Sequence, residues 1–272
     1  MAKWASKIKA HKRQISPPSK HLVDHHRKLN IDIAQKYAMG AARSAMVADR
    51  AAPWHRAMCP IHEPSNPIAW ARRPDSLGDM KYLLNRVFGM SYFSLENVPH
   101  TIEEKMAQLR ETWDIYMYSF PEHERRAIEA YETMCRVEPG FTPYTIRDAS
   151  GAAMGLVWYW AMDGFAYLEH FAIAKTHRNA GVGAQILAEF LKSYPNVVLE
   201  VEEPVDDITR RRVAFYCRNG MTFNDFSYTN PGYWKTPMYH TLCLVSSQPM
   251  DSARCQKFVE DFIYSKPLSY VG

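Results

Sequence analysis

Apolar residues return along the middle of the chain with two different repeats. Ile102, Met106, Leu109, Trp113, Met117 and Phe120 recur at intervals of three and four, the signature of one helix face turned to a core. Thr101-x-x-Glu104 stands just ahead of them as a capping box, with Pro99 outside it. The spacing predicts a helix over this stretch and a second from Pro121 to about Arg136, with Pro at its first position and acids in its first turn. Runs rich in β-branched and aromatic residues predict strands at Met90 to Val98, Phe141 to Arg147, Ala153 to Met162 and Phe165 to Ala174. Asp148-Ala149-Ser150-Gly151 and Asp163-Gly164 are the turns between the last three. A helix over 181–194, a strand over 197–202, a helix capped by Asp206 or Asp207 and ending near Asn219-Gly220, and strands near 221–228 and 237–245 follow. A last helix is expected from about Ser252 to Tyr264. Helices interleaved with strands and hairpins make the fold class α/β (α+β).

The first 80 residues have a different character. They lack clear periodicity, are broken by seven prolines, and carry 14 Lys/Arg against 6 Asp/Glu, whereas the remainder carries 19 against 23. The expected organisation is a basic, Pro-rich, flexible extension over 1–80, a patterned folded domain over 81–246 and a helical extension over 247–272. A short helix can form between Leu22 and Arg43, placing His21 and His25 one turn apart. No further ligand set accompanies them, so a solvated basic segment is preferred to a metal site, and no metal is expected. A basic arm for nucleic acid is set below a flexible tail. No apolar run approaches the ~18 residues of a membrane span. Five scattered cysteines without a CxxC pair argue against a zinc ribbon or a disulfide framework, and the expected setting is cytoplasmic.

The chemistry is carried by Arg178-Asn179-Ala180-Gly181-Val182-Gly183-Ala184, a glycine turn from a strand into a helix. Such a helix start presents unpaired N–H groups and a positive dipole end to an anion. A Walker loop would need Lys after the last glycine, and a dinucleotide fingerprint would need Gly at 186, where Ile stands. Arg-x-x-Gly-x-Gly with Ala next fits neither, and in those residues the chain resembles the GNAT superfamily of acyl-CoA-dependent N-acetyltransferases. Tyr167-Leu168-Glu169-His170-Phe171-Ala172-Ile173 resembles that family's fourth strand, and Val197-Val198-Leu199-Glu200-Val201 its fifth. Ala214-Phe215-Tyr216-Cys217-Arg218-Asn219-Gly220-Met221 resembles its Ala-Leu-Tyr-x-x-x-Gly-Phe segment. Ser119-Phe120-Pro121-Glu122-His123-Glu124-Arg125-Arg126 resembles a stretch found in some bacterial branches. Thr209 departs from the family's usual Asn and Met221 from its Phe. The resemblance spans roughly residues 90 to 245.

The resemblance implies a mixed, mostly antiparallel twisted sheet flanked by helices, with the fourth and fifth strands splayed. It implies acetyl-CoA as co-substrate and a primary amine, on a small molecule or a peptide, as acceptor; a homodimer is compatible with it. The pantetheine arm would lie along the backbone of Phe171, Ala172 and Ile173, and the pyrophosphate against Arg178, Asn179, Ala180, Gly181, Val182, Gly183 and Ala184. Glu169 is the candidate general base, directly or through a water, the alternative being a Glu that pairs with a neighbour. Tyr216 is the candidate general acid for the leaving thiolate. Strand alternation would send His170 to the face opposite Glu169, as packing or a helix contact. Glu200 and Glu202 share a strand face and, with Glu203, would draw in a cationic amine unless they are a solvated strand end. The 101–136 segment and the 228–236 loop, with Tyr228, Tyr233 and Trp234, would shape the acceptor pocket. A catalytically silent acyl-CoA-binding module is the competing reading.

Overall fold

The computed structural model describes residues 91–178 and 181–270. The expectations for residues 1–80, including the Leu22 to Arg43 helix and the histidine cluster, lie outside these. Six strands, β1 (Phe141–Arg147), β2 (Ala153–Met162), β3 (Phe165–Ile173), β4 (Val197–Glu202), β5 (Thr222–Asn230) and β6 (His240–Ser246), form one sheet. Their order is β1-β2-β3-β4-β6-β5. All neighbours are antiparallel except β3 and β4. The helices are α1 (Ile102–Glu111), α2 (Trp113–Ser119), α3 (Ile128–Val137), α4 (Val182–Ser193), α5 (Asp207–Arg218) and α6 (Ser252–Phe258).

The sheet has two working faces. Trp158, Trp160, Phe141 and Tyr167 meet the buried Leu109, Tyr116, Tyr131 and Met134 of α1 to α3. On the other face the Tyr159 ring meets Phe190 of α4 at 5.1 Å and Tyr194 at 5.3 Å. The segment beyond β6 completes the first core with Cys255, Val259, Phe262 and Ile263.

Four expectations are corrected. No strand forms over the described part of 90–98, where Leu95–Asn97 is a 3-10 turn capped by Ser94. The backbone N–H groups of Tyr92 and Phe93 both donate to the Glu189 carboxylate at 2.8 Å, so a side chain takes donors that a ladder would need. The helix expected to run on to Phe120 breaks at Thr112, whose Oγ1 donates to Gln108 O at 2.8 Å and competes with the regular bond pattern. The helix expected from Pro121 is a 3-10 turn, Glu122–Glu124, and α3 starts only at Ile128. Between them the chain stays extended at Arg125, and the Arg126 N–H donates to the Tyr116 hydroxyl at 2.8 Å, turning the Arg126 side chain inward. Finally, the C-terminal helix changes at Val259 into a π-helical turn that ends at Ile263.

Both capping boxes form. Thr101 and Glu104 cap α1 reciprocally. Asp206 and Thr209 do the same for α5, so Thr209, where the family usually has Asn, supplies a capping contact.

Candidate functional site

β3 and β4 pair in parallel over three rows only, Ala166 with Val197, Tyr167 with Val198 and Leu168 with Leu199. Beyond Leu168 the two strands part, while β3 stays bonded to β2 as far as Ile173. A cleft of about 1720 Å³ opens at the parting. Because Ala174 N donates to Met154 O of the neighbouring chain segment, alternation turns the backbone groups of Ala172 towards β2. Those of Phe171 and Ile173 then face the open edge. Arg178 uses one of them, its Nε donating to Ile173 O at 2.8 Å, and so ties the glycine turn to the strand end.

Gly181 is the N-cap of α4 with φ +74°, the left-handed region that glycine enters without a Cβ penalty. Among the described residues no side chain caps this helix, and Gly181, Val182 and Gly183 line the cleft. A Cβ placed on Gly183 would lie 3.7 Å from Phe215 and 3.9 Å from Ile173 and Phe171, in ordinary contact, so the start of α4 lies between β3 and α5. Asn179 and Ala180 lie outside the described residues. Tyr216, 9% exposed, lines the cleft from α5, and burial pushes its phenol up to about 12.

Glu169 is not a free carboxylate. The pairing jumps from Trp158–His170 to Tyr159–Leu168, leaving Glu169 as the extra residue of a bulge in β3. Its side chain is wholly buried and forms an ion pair with Arg126, also wholly buried. Its other oxygen accepts the Trp160 indole N–H at 2.8 Å. Arg126 also donates to the Tyr131 hydroxyl at 2.9 Å, to Pro267 O at 2.8 Å and to Tyr270 O at 3.2 Å, and lies 3.5 Å from the centre of the Tyr233 ring. The bulge also corrects the alternation expected at His170. Its Nε2 lies 2.6 Å from the same Tyr131 hydroxyl, so Glu169 and His170 join one network instead of opposite faces. Burial, with Arg126 nearby, holds His170 well below its usual pKa and therefore neutral.

Besides Glu169, five carboxylates line the cleft: Glu96, Glu124, Glu189, Glu200 and Glu202. Glu200 is buried and accepts the Tyr167 hydroxyl at 2.7 Å and the Tyr228 hydroxyl. Burial raises it to about 8. Glu124 is raised to about 7 by burial and by the like charge of Glu202. Glu202 pairs with Arg212 of α5. In the 228–236 loop Tyr233 lines the cleft, while Trp234 donates to Glu122 O at 3.0 Å and locks the loop to the turn before α3. Among the described residues no cluster of three metal-ligating side chains forms, and no helix is long and apolar enough to cross a membrane.

The sequence pattern of the acetyltransferase (GNAT) family matches residues 104–221. These residues are a GNAT acetyltransferase domain. The protein is an acyltransferase. A protein from Bacteroides thetaiotaomicron, described as a GNAT-family acetyltransferase, superposes with a TM-score of 0.56 at 26% identity, over 63% of this chain and 96% of its own. A phosphinothricin acetyltransferase from Sinorhizobium meliloti, solved in complex with acetyl-CoA, aligns at 14% identity and a TM-score of 0.38, over 54% of this chain and 85% of its own. The ribosomal-protein-S18-alanine N-acetyltransferase from Escherichia coli aligns at 12% identity and a TM-score of 0.39, over 51% of this chain and 85% of its own. No curated protein sequence matches the chain.

Within this GNAT domain the strand edge, the start of α4 and Tyr216 meet at one cleft, as do Glu200 and Glu202. The sequence reading missed Arg126 and Glu124. Both stand in the Ser119 to Arg126 stretch already singled out by resemblance. The available signal was a pair of arginines at 125 and 126 following three potential acids and bases, in a segment whose proline start suggested only a helix.

Proposed function

We propose that the protein transfers an acetyl group from acetyl-CoA to a primary amine by direct attack. The observation that carries this reading is the parting of β3 and β4 beyond Leu168 beside the uncapped, left-handed start of α4. The open edge at Phe171 suits an extended pantetheine arm that adds to the sheet as a strand would. The first N–H groups of α4 and the Gly181 turn suit a pyrophosphate. Acetyl-CoA supplies an activated thioester carbonyl. The Phe171 N–H, on the open edge, is placed to polarise its oxygen.

Tyr216 is the proton donor to the departing sulfur. A phenol pushed up to about 12 by burial holds its proton at neutral pH and surrenders it to a thiolate formed alongside. Glu124 and Glu202 on the cleft wall receive a protonated amine, while Glu200, raised to about 8, stays largely protonated at neutral pH. Glu169 serves by anchoring the bulge through Arg126 and Trp160.

The test is calorimetric titration with acetyl-CoA, followed by thiol release with a panel of amines. Saturable binding that is lost in Gly181→Trp, together with turnover reduced in Tyr216→Phe at unchanged acetyl-CoA affinity, is the expected result. Binding that survives Gly181→Trp removes the pyrophosphate assignment. Binding by the wild type without turnover on any amine favours a silent acyl-CoA module.

A further inference from the structure

An amine reaches the cleft as an ammonium ion and cannot attack until a proton leaves it. The group that takes this proton needs an accessible oxygen, a fixed position and no competing donor. Glu169 fails on access and on competition. Its side chain is fully buried, and both oxygens are occupied, by Arg126 and by Trp160. Arg126 cannot easily swing away, because two carbonyls of the C-terminal segment and the Tyr131 hydroxyl hold its remaining N–H groups.

Glu124 meets all three conditions. It lines the same cleft as Tyr216 with its side chain 18% exposed. The His123 imidazole lies 3.7 Å away, and no described residue donates a hydrogen bond to the Glu124 carboxylate. Its backbone is nevertheless pinned. Glu124 N donates to Pro121 O at 3.0 Å, its carbonyl accepts the Tyr116 hydroxyl at 3.4 Å, and the adjoining Glu122 O accepts the Trp234 indole N–H at 3.0 Å. A short, braced 3-10 turn therefore holds one uncommitted carboxylate at the cleft.

We propose that Glu124, and not Glu169, accepts the proton of the incoming ammonium, with the Glu169–Arg126 pair acting as a positioning element beneath it. This rests on the acetyltransferase reading above. The charged and titratable groups around Glu124 are His123 on its own turn, Glu200 and Glu202 on β4, Arg212 on α5, and His240, whose ring lies 4.7 Å from that of His123. Burial and the Glu202 charge bring Glu124 to about 7 against the opposing pull of Arg212, a value suited to proton transfer near neutrality.

The step balances. Glu124 takes one proton from the ammonium, and the freed nitrogen lone pair forms the N–C bond as the C–S bond breaks. Tyr216 gives its proton to the sulfur and regains one from the nitrogen through solvent. Glu124 then releases its proton, so that one proton reaches bulk water for each amide made.

The experiment uses the full chain and thiol release from acetyl-CoA. The probe is the fastest amine among 1,4-diaminobutane, a lysine peptide and an aromatic amine. kcat/KM is followed against pH for wild type, Glu124→Gln, Glu124→Asp and Glu169→Gln, with acetyl-CoA affinity measured for each. Glu124→Gln is expected to bind acetyl-CoA within about twofold of wild type, to lose ~10²–10⁴-fold in kcat/KM, and to lack the acid limb near pH 7. Glu124→Asp is expected to keep that limb at reduced rate, and Glu169→Gln to keep it too. An acid limb retained in Glu124→Gln, or one abolished by Glu169→Gln alone, overturns the proposal while leaving the transferase reading in place. A wild type that releases no thiol with any of the three amines overturns the transferase reading itself.

Discussion

Arg126 and Glu169 are two full charges with no exposed surface between them. Such a pair adds little net stability, yet removing one partner strands the other in the core. Glu169→Gln is therefore expected to cost about 3–5 kcal/mol in urea unfolding. The double change Arg126→Met with Glu169→Leu should cost less than either single change; additive losses would show that the charges do not act as a pair. Glu200 gives a second test at this scale. Its carboxyl is raised from the usual 4.5 to about 8, and that of Glu124 to about 7. The folded chain then holds protons that the unfolded chain has already lost. Stability should fall as pH rises from about 4.5, by roughly 1.4 kcal/mol per pH unit for each such group, and level off above 8. In Glu200→Gln the decline should stop near pH 7, where Glu124 finishes titrating; an unchanged slope between 7 and 8 would assign it to other groups.

The elements were legible wherever a local signal and the tertiary contacts agreed. Thr101 with Glu104, the turns at 148–151 and 163–164, and the Asp206 cap are local chemistry, and each is where the sequence puts it. Replacing Thr101 or Asp206 by Ala should cost about 1 kcal/mol each. The Asp206 variant should also weaken acetyl-CoA turnover, because α5 carries Tyr216; thermal unfolding and thiol release measure the two effects separately. What was not legible depended on distant partners. The expected first strand is forestalled by Glu189, nearly a hundred residues away. The start of α3 is delayed because Arg126 turns in to meet Glu169. The same long-range pair hides why His170 breaks the alternation, since a bulge gives no periodic signal in β3. The site followed the same rule. The glycine turn and the strand edge are local and were visible, whereas the commitment of Glu169 and the freedom of Glu124 depend on which side chain Arg126 selects.

At the scale of the molecule, the segment after β6 is part of the catalytic domain's interior. Phe262 packs against Trp160, Phe165 and Tyr167, and Pro267 and Tyr270 present carbonyls to Arg126. Lys266 and the Tyr270 hydroxyl both reach Glu138 at the end of α3. Ending the chain after Ser265 should therefore lower the melting temperature and reduce turnover together. A variant that loses neither would show that the last residues only decorate the surface.

Those carbonyls have a consequence in time. Arg126 leaves the ribosome some 140 residues before the groups that satisfy it. During synthesis the acetyltransferase sheet can assemble around a guanidinium that is not yet fully partnered, and that set of bonds is completed only once Pro267 and Tyr270 have emerged. A chain cut short between Ser246 and Pro267 would then hold the whole sheet and still leave the site unfinished.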